Sequence, residues 1–180
     1  VRFGSLYSPG DAMWHALFQA VSGFNNAGFT SLPASENLSA FQTDRVVIGT
    51  IAVLLVLGSL GFWVTTDVLR QRRFSRLSLN SKLVLVGTGV LVLAGAAFFF
   101  VFEAGNDATI GRLSGVDGVM TSVFHSVNRT SGFTTVDFGA TTDETNALYA
   151  ILMLIGGASG SVAGGIKVNT AALIVIALVA

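Results

Sequence analysis

Two glycine-centred segments contain the residues of this sequence that are best suited to chemistry. Residues 27–30 read AGFT, and residues 131–134 read SGFT. Glycine adopts backbone angles that other residues avoid, so the chain around it can turn several carbonyl oxygens to one side. A row of such oxygens can replace the water around a cation. The segments therefore predict cation binding by backbone oxygens, and the residue types indicate no covalent chemistry.

Each segment follows the same kind of apolar stretch, which indicates an internal repeat. Residues 11–21 read DAMWHALFQAV and residues 117–127 read DGVMTSVFHSV, and the two align without a gap. A helix of this length measures about 18 Å, which is too short for a hydrocarbon layer of about 30 Å. We expect two half-helices, capped at Asp11 and Asp117, that enter a membrane and stop part way.

The chain must return from each half-helix without helical structure, and these returns are the candidate ion-binding segments. The C-terminal end of a helix carries a partial negative charge, which attracts a cation where that cation loses its water. Irregular backbone inside a membrane is tolerated only where protein buries it or where it lines a watery cavity. We call the two returns the filter segments; their ion-binding candidates are Asn25, Asn26, Ala27, Gly28, Phe29, Arg129, Thr130, Ser131, Gly132 and Phe133.

The composition is that of a membrane protein. Hydrophobic residues make up 52% of the chain and charged residues only 11%, whereas soluble domains carry about 25% charged residues. Residues 46–66, 83–102 and 145–166 contain no charge, and each run is close to the roughly 20 residues that span a bilayer. The chain has no Cys, which excludes disulfides and thiolate metal sites. Its zero net charge gives no indication of nucleic acid.

The charge distribution predicts the orientation. Half of the basic residues lie between the first two uncharged runs: Arg70, Arg72, Arg73, Arg76 and Lys82. The positive-inside rule places this loop in the cytoplasm. The repeated segments then face outside, together with the acidic residues Asp11, Glu36, Asp44, Glu103, Asp107, Asp117, Asp137, Asp143 and Glu144. Two interpretations stay open: acidic residues avoid the cytoplasmic side, or they form an outer vestibule that concentrates cations.

A glycine-rich stretch interrupts the third uncharged run. Residues 156–167 read GGASGSVAGGIK, and each glycine costs a helix about 1 kcal/mol relative to alanine. A broken membrane helix often marks a functional region; a close contact between helices through small residues is the alternative. The spacing excludes a phosphate-binding loop. We call residues 156–167 the glycine loop; its gate candidates are Gly156, Gly157, Ala158, Ser159, Gly160, Ser161, Gly164, Gly165 and Lys167.

Arg129 is a cation within a filter segment. A free positive charge facing a cation path would oppose conduction, so we expect its side chain to point behind the filter. The expected partner is the carboxylate of Asp137, Asp143 or Glu144.

Five further residues have two interpretations each. Lys167 either makes a functional contact in the glycine loop or extends to the inner membrane surface. His15 and His125 lie within the half-helices without a second metal ligand nearby, so we expect packing or hydrogen-bonding roles. Phe29 and Phe133 are expected to brace the filter from behind or simply to pack.

The sequences FNNAGFT (24–30) and NRTSGFT (128–134) resemble the second and third filter segments of the Trk/Ktr/HKT potassium transporter superfamily. The resemblance, to membrane subunits of the KtrB and TrkH kind, covers nearly the whole chain. It implies four repeats, each an outer helix, a pore helix with a filter loop, and an inner helix. Residues 1–76 would hold pore helix, filter and inner helix of repeat two. Residues 77–180 would hold repeat three: outer helix 81–103, pore helix 115–127, filter 128–134 and a broken inner helix from about 144.

The resemblance also implies a function and partners. The glycine loop resembles the family's intramembrane gate, and the substrate would be potassium, with no cofactor and no enzyme activity. The expected assembly is a homodimer, multi-pass in the bacterial plasma membrane, on a cytoplasmic nucleotide-binding regulatory subunit. Since repeats one and four have no counterpart, we expect a fragment that holds half of a pore. The alternatives are a transporter of another cation, such as sodium, through re-entrant half-helices, and a non-conducting membrane fragment.

Overall fold

The computed structural model describes residues 3–5, 7–32 and 37–179, and over these the expectation of an all-α chain is confirmed. Glu36, expected outside, is not among the described residues. The helices are α1 (Pro9–Phe24), α2 (Arg45–Gln71), α3 (Leu79–Glu103), α4 (Gly115–Val127), α5 (Asp143–Leu154) and α6 (Val168–Val179). Short 3₁₀ turns occur at Phe3–Ser5, Ser39–Phe41, Phe74–Arg76, Asn128–Thr130 and Phe138–Ala140. The one β-bridge recorded among the described residues joins Ile155 and Ile166.

The two repeated helices, α1 and α4, begin in the same way, but the predicted caps are wrong. Ser8 and Ser114, and not Asp11 and Asp117, are the N-caps. Each serine hydroxyl accepts a hydrogen bond from the backbone N–H of the aspartate three residues later and donates to its carboxylate. A Ser-x-x-Asp pattern satisfies an otherwise unpaired N–H and places a negative charge at the positive helix end.

Within the part of the chain that the structure describes, two helices are long and apolar enough to cross a membrane, α2 with 27 residues and α3 with 25. The predicted uncharged runs 46–66 and 83–102 lie within them. Only 33% of the most apolar stretch of α2 and 28% of that of α3 are buried within the chain. The core helix of a soluble protein would be mostly buried, so these exposed apolar faces fit a lipid or a neighbouring membrane helix.

The third uncharged run is broken where the glycines predicted it. Helix α5 ends at Leu154, residues 156–167 are not helical, and α6 begins at Val168. A second break was not predicted. At Gly61, within α2, the backbone has φ +73° and ψ 164°, a conformation that glycine tolerates and other residues avoid.

The core joins the two halves of the chain. Ile48 and Leu55 of α2 form one buried cluster with Phe124 of α4 and Phe133 of the second filter segment. Helix α4 packs on both α2 and α3, and α1 packs on α2. The division of the chain at residues 76 and 77 remains a prediction, since this core spans both sides of it.

Glu103 is fully buried and is a structural anchor at the end of α3. Its carboxylate accepts hydrogen bonds from Asn106 Nδ2 at 2.8 Å, Thr109 Oγ1 at 2.7 Å and Thr145 Oγ1 at 2.5 Å. It also accepts from the N–H of Thr142, the N-cap of α5, at 2.9 Å. Glu103 therefore fastens the α3–α4 connection to the start of α5 and does not contribute an exposed charge to a vestibule.

The orientation can be tested by labelling, because the chain has no Cys. Phe74, in the basic loop, is 55% exposed, and the side chain of Asp107 is 67% exposed. We expect an impermeant thiol reagent added to intact cells to label Asp107→Cys and to leave Phe74→Cys unlabelled until the cells are opened. Labelling of Phe74→Cys in intact cells would contradict the predicted orientation.

Candidate functional site

The two filter segments meet at their glycines. Gly28 has φ +76°, and a Cβ added there would lie only 1.9 Å from the backbone nitrogen of Gly132. A Cβ on Gly132 would make only ordinary contacts, the nearest being 3.5 Å from the carbonyl oxygen of Ala27. The two segments, about a hundred residues apart in sequence, are therefore in backbone contact. Of these two glycines, only Gly28 has no room for a Cβ.

Equivalent side chains of the two repeated helices are hydrogen-bonded to threonines just after each filter segment, although the two threonines are one position apart in the repeat. Gln19 Nε2 donates to Thr30 Oγ1 at 2.5 Å, and His125, its counterpart in the repeat, is hydrogen-bonded to Thr135 Oγ1 at 2.9 Å. His125 is fully buried and its ring stacks on Phe99 with centroids 5.1 Å apart. The expectation of a hydrogen-bonding role for His125 is therefore confirmed.

A second pair of braces holds the carbonyl after each filter glycine. Ser22 Oγ donates to the carbonyl of Phe29 at 2.7 Å, and Asn128 Nδ2 donates to the carbonyl of Phe133. The carbonyl of Gly132 accepts from Asn37 Nδ2 at 3.2 Å. These three carbonyls already accept hydrogen bonds within the chain. The candidate ion ligands are therefore the carbonyls that come before them in each filter segment.

Asn26 joins the two filter segments to each other and to α2. Its backbone is left-handed, with φ +52°. Its Nδ2 donates to the carbonyl of Leu55 at 3.1 Å, and its Oδ1 accepts from Thr130 Oγ1 at 3.1 Å. Asn26 and Thr130 occupy equivalent positions before the two filter glycines, so this contact fixes the spacing of the pair.

Arg129 points behind the filter as expected, but its predicted carboxylate partner is wrong. The guanidinium donates to three backbone carbonyls: Ser126 at 3.4 Å, Ile155 at 3.2 Å and Gly156 at 3.4 Å. Two of these belong to the start of the irregular segment after α5. Sequence spacing could not indicate this partner, because backbone carbonyls occur at every residue.

The glycine loop is closed at its base by backbone pairing. Gly156 N–H donates to the carbonyl of Ile166 at 2.8 Å, and Ile166 N–H donates to the carbonyl of Leu154 at 2.8 Å. Within the loop, Lys167 Nζ donates to the carbonyl of Ala163 at 2.6 Å. Of the two interpretations of Lys167, the structure therefore supports the contact inside the loop.

The glycine loop rests on the broken part of α2. The N–H of Ala158 donates to the carbonyl of Ser59 at 2.8 Å, two residues before the break at Gly61. Ala158 is fully buried in a cluster with Val64 of α2 and Val84 of α3. The break in α2 thus provides a backbone acceptor for the loop, since helical pairing is interrupted there.

A cavity of about 430 Å³ lies between the end of α1 and the glycine loop. Its wall includes Phe24 at the end of α1, Leu57 and Gly61 of α2, and Gly160 and Ser161 of the loop. Phe24 is the last residue of α1, so the C-terminal end of this helix, which carries a partial negative charge, borders the cavity.

The remaining predicted residues have separate positions. Phe133 is buried in the core cluster, as both interpretations expect, whereas Phe29 is 73% exposed. His15 Nδ1 is hydrogen-bonded to Ser31 Oγ at 2.8 Å, as expected of a hydrogen-bonding residue. Within the described residues, no group of His, Cys, Asp and Glu could hold a metal ion.

One ion pair joins the starts of α2 and α4. Arg45 Nε donates to Asp117 Oδ1 at 2.8 Å. Hydrogen bonds from Arg45 and from the Ser114 hydroxyl hold the pKa of the Asp117 carboxyl below its usual range. Asp117 is therefore charged at neutral pH, and the pair fixes the entry of the second pore helix against the first half of the chain.

Two short helices whose following segments meet at their glycines, together with two long apolar helices, fit a helical membrane protein. The chain belongs to the TrkH family of cation transport proteins, whose family model matches residues 8–180. It is therefore a membrane subunit of the Trk/Ktr superfamily, as the filter motifs implied.

Named relatives support the same family. The chain is 38% identical over its whole length to Ktr system potassium uptake protein B of Bacillus subtilis, of which it spans 40%. It is 39% identical to the protein of the same name in Vibrio alginolyticus, over 89% of the chain and 36% of that protein. It is 35% identical to potassium/sodium uptake protein NtpJ of Enterococcus hirae, over 91% of the chain and 36% of that protein. The chain thus spans about two fifths of these relatives.

The two filter glycines form a matched pair for a stability test. Gly28→Ala places a Cβ in a left-handed residue and against the opposite backbone, so we expect it to lower the free energy of unfolding by more than about 2 kcal/mol. Gly132→Ala should cost no more than about 1 kcal/mol. Thermal unfolding of both variants in detergent measures the difference. Equal losses would contradict the contact between the segments.

Proposed function

We propose that the complete protein transports potassium across a membrane through a filter of backbone carbonyls, and that this chain supplies two of its filter segments. The observation that carries the proposal is the contact between the segments at Gly28 and Gly132. The proposed ion ligands are the carbonyls that precede the braced ones, above all those of Ala27, Gly28 and Ser131. Ring-like arrangements of such carbonyls replace the hydration shell of an ion.

The glycine loop is proposed as the gate of this pore. Support comes from its position across the 430 Å³ cavity from the end of α1 and from its attachment to α2 through a backbone hydrogen bond and Ala158. Small side chains allow the loop to approach an ion path closely. Lys167, bonded to the loop carbonyl of Ala163, is proposed to favour the closed position.

The proposed assembly is a homodimer that binds a cytoplasmic nucleotide-binding regulatory subunit, in the bacterial plasma membrane. Relatives named as proteins of a Ktr system support a protein that works with other components. The exposed arginines in the last turn of α2 and just after it offer a cationic surface on the proposed cytoplasmic side: Arg70, Arg72, Arg73 and Arg76.

A sodium-transporting protein is the second candidate, because one relative is named as a potassium/sodium uptake protein. A non-conducting membrane fragment is the third. Because the chain spans about 40% of its relatives, counting glycine-centred filter segments in the complete reading frame separates the third candidate: a conducting protein should have four, the two described here and two more.

The filter proposal is best tested at Gly132, where a side chain fits. We expect Gly132→Ser to leave the yield of folded complete protein unchanged. It should reduce the preference for potassium over sodium about three- to tenfold, which corresponds to about 0.7–1.4 kcal/mol of ion binding. Uptake of both ions into proteoliposomes measures this. Gly115→Ser, a glycine at the start of α4 with open space for a side chain, is the matched control. Unchanged ion preference in Gly132→Ser, with normal yield, would contradict the filter assignment.

The gate proposal predicts that shortening the glycine loop increases potassium flux. Deleting residues 158–162 removes the contact of Ala158 with α2 and keeps the paired base of the loop. Lys167→Ala should also increase flux, but less than the deletion, and Lys82→Ala serves as a control lysine outside the loop. Flux in proteoliposomes is normalised to inserted protein. If flux falls in proportion to folded protein, the loop is structural and not a gate.

A further inference from the structure

Arg129 connects the second pore helix to the base of the glycine loop. Its side chain is only 4% exposed, and its three acceptors are the carbonyls of Ser126 in α4 and of Ile155 and Gly156 after α5. Within residues 3–5, 7–32 and 37–179, it forms no ion pair. A buried charge requires compensation, and here backbone carbonyls supply it.

One of these carbonyls, that of Ser126, lies in the last turn of α4, where carbonyls have no partner within the helix and carry a partial negative charge. The other two, of Ile155 and Gly156, follow the end of α5. The planar guanidinium has several donors in a fixed arrangement and can bridge carbonyls of both segments at once. A lysine ammonium could reach fewer of them, because its donors project from a single atom.

The same two loop residues form the closed base of the glycine loop. Gly156 and Ile166 are paired through the backbone, and Ile155 forms the bridge to Ile166. The loop is therefore a unit whose base is held by Arg129. If the loop moves as a whole, either the hydrogen bonds from Arg129 break or the side chain of Arg129 moves with the loop.

The first half of the chain has no such connection. Asn25 occupies the position equivalent to Arg129, four residues before Phe29 as Arg129 is before Phe133. Its side-chain Nδ2 donates to Val21 of its own helix at 2.9 Å. The buried arginine thus occurs in the repeat that contains the glycine loop, and its neutral counterpart occurs in the repeat that has no such loop.

We propose that Arg129 is a positioning residue that holds the base of the glycine loop against the second pore helix, and so couples the position of the gate to the filter. The coupling of gate and filter rests on the proposed gating function. The attachment of the loop base to the second pore helix through Arg129 can be measured without any transport.

A cysteine at Ala158 reports the anchoring. Ala158 lies in the loop and is fully buried against α2 and α3, so Ala158→Cys reacts with a thiol reagent only when the loop moves away from them. We expect Arg129→Gln to increase this reaction rate about tenfold, the effect of losing one charged hydrogen bond of about 1.4 kcal/mol. Arg129→Lys should give a smaller increase, and Asn25→Ala, the equivalent change in the first repeat, should give none.

A second buried reporter separates opening from unfolding. Thr121 is 1% exposed in α4, and Thr121→Cys should remain unreactive in Arg129→Gln. If both cysteines become reactive, Arg129→Gln has unfolded the protein. The same assay on Arg129→Lys then tests whether the arginine holds the loop. The inference is overturned if Ala158→Cys reacts at the same rate in the folded Arg129 variant as in the protein that keeps Arg129.

Potassium flux distinguishes this inference from the proposed function. Arg129→Gln should increase flux, and this increase should shrink when residues 158–162 are also deleted, because both changes act on one element. Increases that multiply would overturn the coupling. A protein that labels as expected but conducts no potassium, with its natural arginine, would overturn the proposed function and leave the anchoring intact.

Discussion

The structure depends on hydrogen-bond donors to the backbone carbonyls at positions where helices end or break. A buried carbonyl without a partner costs about 1–3 kcal/mol, and this chain interrupts helices at the ends of α1, α4 and α5 and within α2. At each of these positions a donor lies nearby. Carbonyls at the end of α1 accept hydrogen bonds from the amide of Ala27 and the side chain of Asn25. The amide of Ala158 donates to the carbonyl of Ser59 in α2, and Arg129 donates to one carbonyl of α4 and to two carbonyls that follow α5.

The two repeats reach the same geometry with different residues. Gln19 and His125 are unlike in shape and chemistry, yet each is hydrogen-bonded to a threonine of its own filter return. Ser22 and Asn128 likewise donate to the carbonyl after the filter glycine. What the repeats share is a polar side chain near the end of a short helix that is hydrogen-bonded to the segment that follows. The spacing to the glycine differs between the repeats: nine and seven residues for Gln19 and His125, six and four for Ser22 and Asn128. Neither residue identity nor exact spacing therefore identifies these contacts.

Much of the fold could be predicted from local pattern. The uncharged runs located α2 and α3, the aspartate starts and apolar stretches located α1 and α4, and five glycines located the break after α5. Residue type alone favours Asp11 and Asp117 as caps, but the Ser-x-x-Asp pattern identifies Ser8 and Ser114. Local pattern was insufficient at Gly61 and Arg129. A single glycine in an apolar helix is compatible with an unbroken helix, and the break at Gly61 depends on the loop that packs against it.

The different charge at the two equivalent positions, Asn25 and Arg129, bears on how a cation can pass a pore that contains an arginine. The guanidinium of Arg129 donates to three backbone carbonyls, so partial negative charges of the backbone surround its positive charge. Asn25, at the equivalent position, is neutral and donates to a carbonyl of its own helix. In the proposed pore, attachment of the glycine loop is therefore assigned to the second repeat alone.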